Sequence, residues 1–318
     1  MSIFKLDPAF KDYIWGGTRL RDEYGKKCDY DKVAESWELS CHKDGPSVVA
    51  DGEYKGLTLN EYIEKAGKGV LGKNCERFEN FPILIKLIDA KDNLSVQVHP
   101  DNDYAMRVEG EYGKTEMWYV VDCDEGATLL YGFKHEITKE EFARRIADNT
   151  LLEVTNAVPV KKGDVFFIKS GTLHAIGKGI LIAEIQQNSN TTYRIYDYGR
   201  VGKDGKPREL HVNKALDVTK LAPAEQYPET PVEKKDGYDI KLLSKCEYFT
   251  TYRVNVETKA ELDADENSFN SILVLEGEPV ISGGETVSAK KGESVFISAG
   301  TGKYTGEGKC TFVLTKID

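Results

Sequence analysis

The sequence predicts a mainly β protein in which one β unit is used twice. Residues 162–179, KGDVFFIKSGTLHAIGKG, align without gaps with residues 291–308, KGESVFISAGTGKYTGEG, and eight of the eighteen positions are identical. The two copies differ where chemistry is expected, because His174 of the first copy aligns with Lys303 of the second. Histidine is a common metal ligand, so we expect a metal site in the first copy and a structural partner in the second.

Short runs rich in β-branched and aromatic residues recur between Gly, Asp and Asn turns, and such runs favour strands. The predicted strands include residues 81–88, 117–121, 165–168, 180–185, 271–275 and 294–297. Helical signals are few, and the three predicted helices cover residues 59–66, 138–148 and 212–218. The second begins with Thr138 followed by Glu141, a capping-box arrangement that satisfies free amides at a helix start.

A change in composition at residues 221–237 predicts a division of the chain. This segment, LAPAEQYPETPVEKKDG, contains three prolines and many charges, which is typical of a linker or a long surface connection. We therefore predict a metal-binding N-terminal domain with helical insertions over residues 1–220, a linker over 221–237, and a smaller C-terminal β domain without a metal site over 238–318.

Composition and charge exclude several classes of partner. The chain has 318 residues, of which 40% are hydrophobic and 30% charged, as in ordinary globular proteins. Its net charge of −10, without a basic stripe, argues against nucleic acid and anionic membranes as partners.

Lys5, Asp7 and Lys11 interrupt the apolar run that a secretory leader needs, and the six cysteines form no C-x-x-C pair. We expect a cytoplasmic protein with reduced thiols.

Three segments supply candidate metal ligands. Gln97 and His99 lie two residues apart in LSVQVHP, so in an extended chain both side chains point to one face. Glu116 opens an apolar, β-prone run, and His174 follows the Gly171 turn of the repeat. Two imidazoles, a carboxylate and an amide oxygen suit zinc, iron or manganese. The other three histidines have no such neighbours, and we expect them at the surface or at helix caps.

Several motifs in the same order along the chain resemble those of type I mannose-6-phosphate isomerases. They are WGGTRL, AESWELS, LSVQVHPDNDYA, GKTEMWYV, GTLHAIG and TTYRIYDYGR. The resemblance implies a double cupin, two β-barrel or jelly-roll domains with a few short helices, and Arg194 in the active site. It also implies one zinc ion per chain, held by Gln97, His99, Glu116 and His174. The short connection over residues 138–158 resembles the compact bacterial branch, while Thr115 stands where many members have proline.

The implied reaction interconverts mannose 6-phosphate and fructose 6-phosphate through an enediol or enediolate. Arg194 is expected to donate to the developing oxyanion or to hold the phosphate. Lys114 shares a strand face with Glu116 and is a candidate for contacting substrate oxygens, and Ser95, on the face of Gln97, for binding phosphate. For the proton carrier we consider Glu184, with its pKa raised by burial, a metal-bound water, or a histidine.

Two other functions are compatible with the same residues. A metal-dependent cupin oxygenase would use these ligand types to hold iron(II), although the neutral amide of Gln97 fits a Lewis-acid role better. A non-catalytic sugar-phosphate-binding cupin would keep the fold without turnover, although the intact ligand set and Arg194 weigh against it. The expected partner is a small sugar phosphate, and the sequence allows either a monomer or a homodimer.

Overall fold

The computed structural model describes residues 2–202 and 205–318 and has the predicted mainly β fold. The strands up to residue 220 are β1 (Ile3–Asp7), β2 (Ala9–Lys11), β3 (Glu35–Leu39), β4 (Val48–Val49), β5 (Ile83–Ala90), β6 (Val96–Val98), β7 (Glu116–Cys123), β8 (Thr128–Phe133), β9 (Thr155–Pro159), β10 (Val165–Ile168), β11 (His174–Ala175), β12 (Ile180–Gln187) and β13 (Tyr193–Tyr196). The later strands are β14 (Val232–Lys235), β15 (Tyr238–Lys245), β16 (Thr250–Val256), β17 (Lys259–Ala264), β18 (Asn270–Gly277), β19 (Val280–Gly283), β20 (Glu285–Ser288), β21 (Ser294–Ile297), β22 (Gly302–Glu307) and β23 (Cys310–Lys316).

The helices are short and lie outside the sheets. They are α1 (Arg19–Asp22), α2 (Leu59–Ala66), α3 (Asn102–Val108), α4 (Lys139–Ala147) and α5 (Val212–Val218). The three predicted helices, α2, α4 and α5, are confirmed, while α1 and α3 were not predicted. Thr138 caps α4 by accepting a hydrogen bond from the Glu141 amide, but the reciprocal capping box is found instead at Thr58 and Glu61 of α2. Across the described ranges, none of the helices combines the length and apolar character needed to cross a membrane.

Within residues 2–202 and 205–318, the strands form four sheets that pack as two pairs. The first pair consists of a six-stranded sheet, β10-β7-β12-β5-β3-β2, and a five-stranded sheet, β13-β6-β11-β8-β9. The second consists of an eight-stranded sheet, β14-β15-β16-β23-β18-β21-β1-β4, and a four-stranded sheet, β17-β22-β19-β20. Each half thus consists of two separate facing sheets, as in a jelly roll, and among the described strands these sheets do not close into a continuous barrel.

The six-stranded sheet lies in the middle of the molecule and is covered on both faces. Strands β5 and β12 are buried along their whole length. Ile88 and Ile182 face the interior shared with the five-stranded sheet, whereas Leu87 and Ala183 pack towards Phe296 of the eight-stranded sheet. This burial on both faces explains why the sequence of β5 shows no alternation of apolar and polar residues.

The N-terminal segment contributes strands to the sheet of the C-terminal half. Strand β1 pairs with β21, with Ile3 opposite Ile297, and β4 pairs with β1 at the sheet edge. Strand β14 lies inside the segment predicted as a linker and pairs with β15, so the end of that segment belongs to a sheet. The domain boundaries proposed from the sequence stay predictions.

The two copies of the repeat have the same local structure. Strands β10 and β21 each begin three residues into their copy, and the following turns place Gly171 and Gly300 at φ values of 84° and 78°. A left-handed conformation of this kind favours glycine because it has no Cβ. One turn design therefore leads into β11 in the first copy and into β22 in the second.

Candidate metal centre and substrate cavity

Three of the predicted ligands meet in the interior between the six-stranded and five-stranded sheets. His174 lies on β11, His99 follows β6, and Glu116 begins β7 in the facing sheet. All three side chains are buried, and one potential ligand atom from each lies within 4.8 Å of the others. The Nε2 atoms of His99 and His174 are 3.7 and 3.4 Å from the two carboxylate oxygens of Glu116.

Hydrogen bonds fix both imidazoles in the form that a metal requires. Nδ1 of His99 lies 2.9 Å from the carbonyl of Thr191, and Nδ1 of His174 lies 2.8 Å from the carbonyl of Thr172. A carbonyl only accepts hydrogen bonds, so each Nδ1 must carry the proton, and each Nε2 presents a lone pair. Burial lowers the pKa of His99 well below its usual value and that of His174 to about 4, so both rings are neutral at pH 7.

The cluster also contains buried polar atoms without partners. In the part of the chain that the structure describes, no hydrogen bond reaches His99 Nε2 or Glu116 Oε1. Such atoms are costly in a protein interior, and a cation bound between them would satisfy both. Gln97 pairs with His174 across the strands, and its amide nitrogen lies 3.4 Å from His174 Nε2. Rotating the amide by half a turn would present the oxygen that a metal ligand needs.

The charges around the cluster are compatible with a bound cation. Lys114 Nζ lies 2.8 Å from Glu116 and 3.6 Å from Glu184, and Lys86 Nζ lies 3.3 Å from Glu184 and 3.5 Å from Glu35. Three buried carboxylates therefore face two ammonium groups, while the histidines are neutral. Without a metal, burial and the charge of Glu184 raise the pKa of Glu116 to about 8, so it holds a proton at pH 7. A divalent cation would displace this proton and compensate the third carboxylate, so the residues present fit a metal such as zinc.

The pKa of Glu184 shifts in the direction opposite to the one predicted from the sequence. Burial alone would raise the pKa, but the ammonium groups of Lys114 and Lys86 outweigh burial and lower it. The indole N–H of Trp118 also donates to Glu184 Oε2 over 2.8 Å, which favours the ionised form. The carboxyl whose pKa is raised is instead Glu116, through burial and the nearby charge of Glu184.

A polar cavity of about 220 Å³ opens beside the cluster. The predicted site residues that line it are Ser95, Gln97, Lys114, Glu184 and Arg194. Arg194, on β13, donates from Nη1 to the carbonyl of Glu209, and its Nε is buried without an acceptor among the described residues. The structure thus brings together every residue that the sequence suggested for metal or substrate.

Sequence reasoning missed other residues of this cavity, including the charged and aromatic residues Tyr13, Trp15, Glu35, Lys86 and Arg208. A signal for Lys86 was present, because it is the lone lysine in the apolar run ILIKLIDA of a buried strand. A buried lysine is rare unless it is paired, so it marks a polar site. Arg208 lies in a loop and carried no comparable signal.

The three remaining histidines do not all lie where expected. His42 is buried, with Nε2 3.1 Å from Glu111 Oε1, so its assignment to a surface or cap position is wrong. His211 occupies the N-cap position of α5, and its Nδ1 accepts a hydrogen bond from the main-chain amide of Arg194. His135 is exposed.

The paired sheets and the buried cluster define a cupin protein with a potential metal centre. Residues 3–126 match the family described as phosphomannose isomerase type I, catalytic domain, and residues 239–317 match the mannose-6-phosphate isomerase cupin domain. The chain therefore belongs to the type I mannose-6-phosphate isomerase family, as relatives spanning nearly its whole length also show.

Similar proteins come from several bacteria. The chain is 39% identical to mannose-6-phosphate isomerase ManA of Bacillus subtilis, over 98% of this chain and 97% of the relative. It is 40% identical to a mannose-6-phosphate isomerase of Streptococcus mutans, over 89% and 88% of the two chains. The crystal structure of a mannose 6-phosphate isomerase from Bacillus subtilis superposes with a TM-score of 0.93 at 38% identity and covers 99% of both chains.

Proposed function

We propose that this protein is a zinc-dependent aldose-ketose isomerase that interconverts mannose 6-phosphate and fructose 6-phosphate through an enediol or enediolate. The observation that carries the proposal is the buried group of His99, Glu116 and His174 beside a polar cavity lined by Glu184, Lys114 and Arg194. Membership of the type I mannose-6-phosphate isomerase family supports the choice of substrate.

One zinc ion per chain would be held by His99, Glu116, His174 and the amide oxygen of Gln97. A divalent cation bound there would supply a Lewis acid that favours negative charge on the substrate oxygens, without redox chemistry. The lone pairs of both Nε2 atoms and the unpartnered Glu116 Oε1 support this set of ligands.

Glu184 is the proposed proton carrier between C2 and C1. Its lowered pKa keeps it ionised at neutral pH, so it can accept the proton as the C2–H bond breaks, while the C–H electron pair forms the C1–C2 double bond and the C1=O π electrons move to O1. The hydroxyl proton of O2 passes to O1. Return of the first proton to C1 then forms the new C–H bond from the C1–C2 double-bond electrons, while an electron pair of O2 forms C2=O and gives the ketose. The two histidines are poorly placed to carry this proton, because Nδ1 of each ring donates a hydrogen bond to a main-chain carbonyl and Nε2 faces Glu116.

The remaining residues of the cavity would bind and orient the substrate. Lys114, whose ammonium group lies between Glu116 and Glu184, is placed to donate to substrate oxygens near the reacting carbons. Arg194 and Ser95 line the same cavity and are proposed to contact the oxyanion or the phosphate. The walls formed by Tyr13 and Trp15 would limit the entry of water.

A coupled assay for conversion of mannose 6-phosphate to fructose 6-phosphate tests the proposal. The protein is assayed as purified, after removal of metal with a chelator, and after zinc is restored. We expect activity to be lost on chelation and regained with zinc. Absence of turnover in all three states, with zinc nonetheless bound, would disprove the isomerase and favour a non-catalytic sugar-phosphate-binding protein.

The same assay separates the isomerase from an oxygenase. An isomerase needs no dioxygen, so the rate of fructose 6-phosphate formation should be equal in air and under nitrogen, whereas an iron(II) oxygenase would form no fructose 6-phosphate and would consume dioxygen instead. The cytoplasmic location and the monomeric or dimeric state expected from the sequence stay predictions.

A further inference from the structure

The positively charged groups of the cavity fall into two chemically different sets. Lys86 and Lys114 are each paired with buried carboxylates around the candidate metal centre. Arg194 and Arg208 also line the cavity. Among the described residues, the guanidinium of Arg194 donates only to the main-chain carbonyl of Glu209. The two guanidinium groups therefore provide positive charge that the carboxylates near the candidate metal centre do not neutralise.

Arg208 is held in a fixed orientation by Asp197. Its Nε donates to Asp197 Oδ2 over 2.8 Å, and its Nη2 donates to Oδ1 over 2.6 Å. Asp197 is itself buried, so its carboxylate has a fixed position and holds the side chain of Arg208 in place. Among the described residues no group accepts a hydrogen bond from Nη1 of Arg208. The edge of the guanidinium formed by Nη1 and Nη2 can therefore donate to a second, bidentate acceptor such as a phosphate.

Main-chain contacts bring Arg208 close to Arg194. The amide of His211 donates to the carbonyl of Arg194 over 2.7 Å, and Arg194 Nη1 donates to the carbonyl of Glu209 over 2.9 Å. Residues 209–211 therefore run beside Arg194 on β13. Burial and then the neighbouring charge of Arg208 lower the pKa of Arg194. Asp197 offsets only part of this positive charge, because its single carboxylate pairs with both Arg208 and Arg200, so an anion bound between Arg194 and Arg208 would be stabilised.

We propose that Arg208, oriented by Asp197, binds the phosphate group of the substrate together with Arg194. Asp197 is then a positioning residue, since it acts on the phosphate only through Arg208. This inference rests on the proposed function for the identity of the substrate, but the site itself requires only a phosphate group.

Binding of inorganic phosphate to the metal-loaded, full-length protein tests the site directly. Arg208→Gln should raise the dissociation constant of phosphate by about tenfold or more, because a charge-assisted bidentate contact is lost. Arg208→Lys should restore only part of the affinity, since an ammonium group keeps the charge but not the fork. In the isomerase assay, Arg208→Gln should raise KM for mannose 6-phosphate more than it lowers kcat.

Arg200 provides a matched control. It also pairs with Asp197, its side chain is 21% exposed compared with 23% for Arg208, and it does not line the cavity. Its Nη1 donates instead to the carbonyl of Asn93. Arg200→Gln should therefore leave phosphate affinity within about twofold of the wild type. Asp197→Asn should weaken phosphate binding in the same direction as Arg208→Gln.

The outcomes distinguish this site from the reaction. Unchanged phosphate binding in Arg208→Gln, or an equal loss in Arg200→Gln, would overturn the phosphate role even if the protein is an active isomerase. Weakened phosphate binding in Arg208→Gln alone, in a protein that does not isomerise mannose 6-phosphate, would retain the phosphate site and reject the proposed reaction. Thermal unfolding of each variant establishes that it is folded before binding is compared.

Discussion

The interiors of the two sheet pairs differ sharply although they contain copies of the same repeat. In the first pair, His174 points inward and is fully buried among carboxylates and ammonium groups. In the second pair, the aligned Lys303 is exposed, and the next residue, Tyr304, fills the interior and hydrogen-bonds to Asn270. All the buried polar side chains that the structure describes in residues 238–318 are uncharged.

The difference indicates that the first half carries the charged groups of the candidate site, whereas the second half stabilises the fold. Buried charges contribute little net stability even when they are paired, because each loses its hydration. The second interior, which includes Ile281, Val295 and Phe312, carries no such cost. Its eight-stranded sheet also covers the back of the six-stranded sheet that bears Glu116 and Glu184. We therefore interpret the second half as a support for the first.

The largest effect is expected from removing the residue that distinguishes the two copies. His174→Ala should reduce bound zinc far below one ion per chain and lower activity by about a thousandfold or more, because Lewis-acid catalysis is lost. Metal analysis together with the coupled assay checks this. Full zinc content and normal activity in His174→Ala would remove His174 from the metal site.

The next largest effect is expected at a residue beside the metal cluster that is not a ligand. Glu184→Gln should lower kcat by about a hundredfold or more with zinc still bound, because the amide cannot take up the proton. Measured zinc content and kcat in the same preparation separate the two roles. Near-normal kcat would remove Glu184 from the proposed mechanism, and loss of zinc would mean that it supports the metal instead.

A smaller effect is expected in the pH dependence of stability without metal. The pKa of His174 is about 4 in the folded protein and about 6.5 when unfolded, so the unfolded chain binds more protons between these values. The contribution of this residue to the free energy of unfolding should therefore fall as pH decreases below 6.5, by about 2 kcal/mol at pH 5.

Urea unfolding of the chelated wild type and of His174→Gln at pH 7 and pH 5 measures this contribution. The raised pKa of Glu116 acts in the opposite direction, and Glu116 lies 3.4 Å from His174, so its contribution does not cancel in the difference. Both proteins are therefore compared in a Glu116→Gln background, which removes that titration. Equal pH dependence in both proteins would show that His174 is not held neutral by burial.

The smallest effect is expected at the counterpart of His174 in the second copy. Lys303→Ala should leave zinc content and kcat unchanged and alter the free energy of unfolding by less than about 0.5 kcal/mol, since the side chain is exposed. The same assays used for His174→Ala check this. An inactive Lys303→Ala protein with its zinc intact would contradict a purely supporting second half.

The residues of the candidate metal centre could be proposed from the sequence because their signals are local. Gln97 and His99 share a strand face through the two-residue period of a strand, and the repeat with its Gly171 turn marks His174. The helices α2, α4 and α5 could be predicted for the same reason, since caps and apolar spacing act over a few residues.

Only the tertiary structure decided the electrostatics of the cavity and the partners of the N-terminal strands. Lys86 and Glu184 are distant in sequence, yet adjacent strands bring them together, and this contact helps lower the pKa of Glu184. Coulombic interactions depend on separation in space, which the spacing along the chain does not specify. Likewise, β1 pairs with β21, which lies near the other end of the sequence. The sequence of a short strand does not specify which strand it pairs with, so this pairing depends on how the sheets pack.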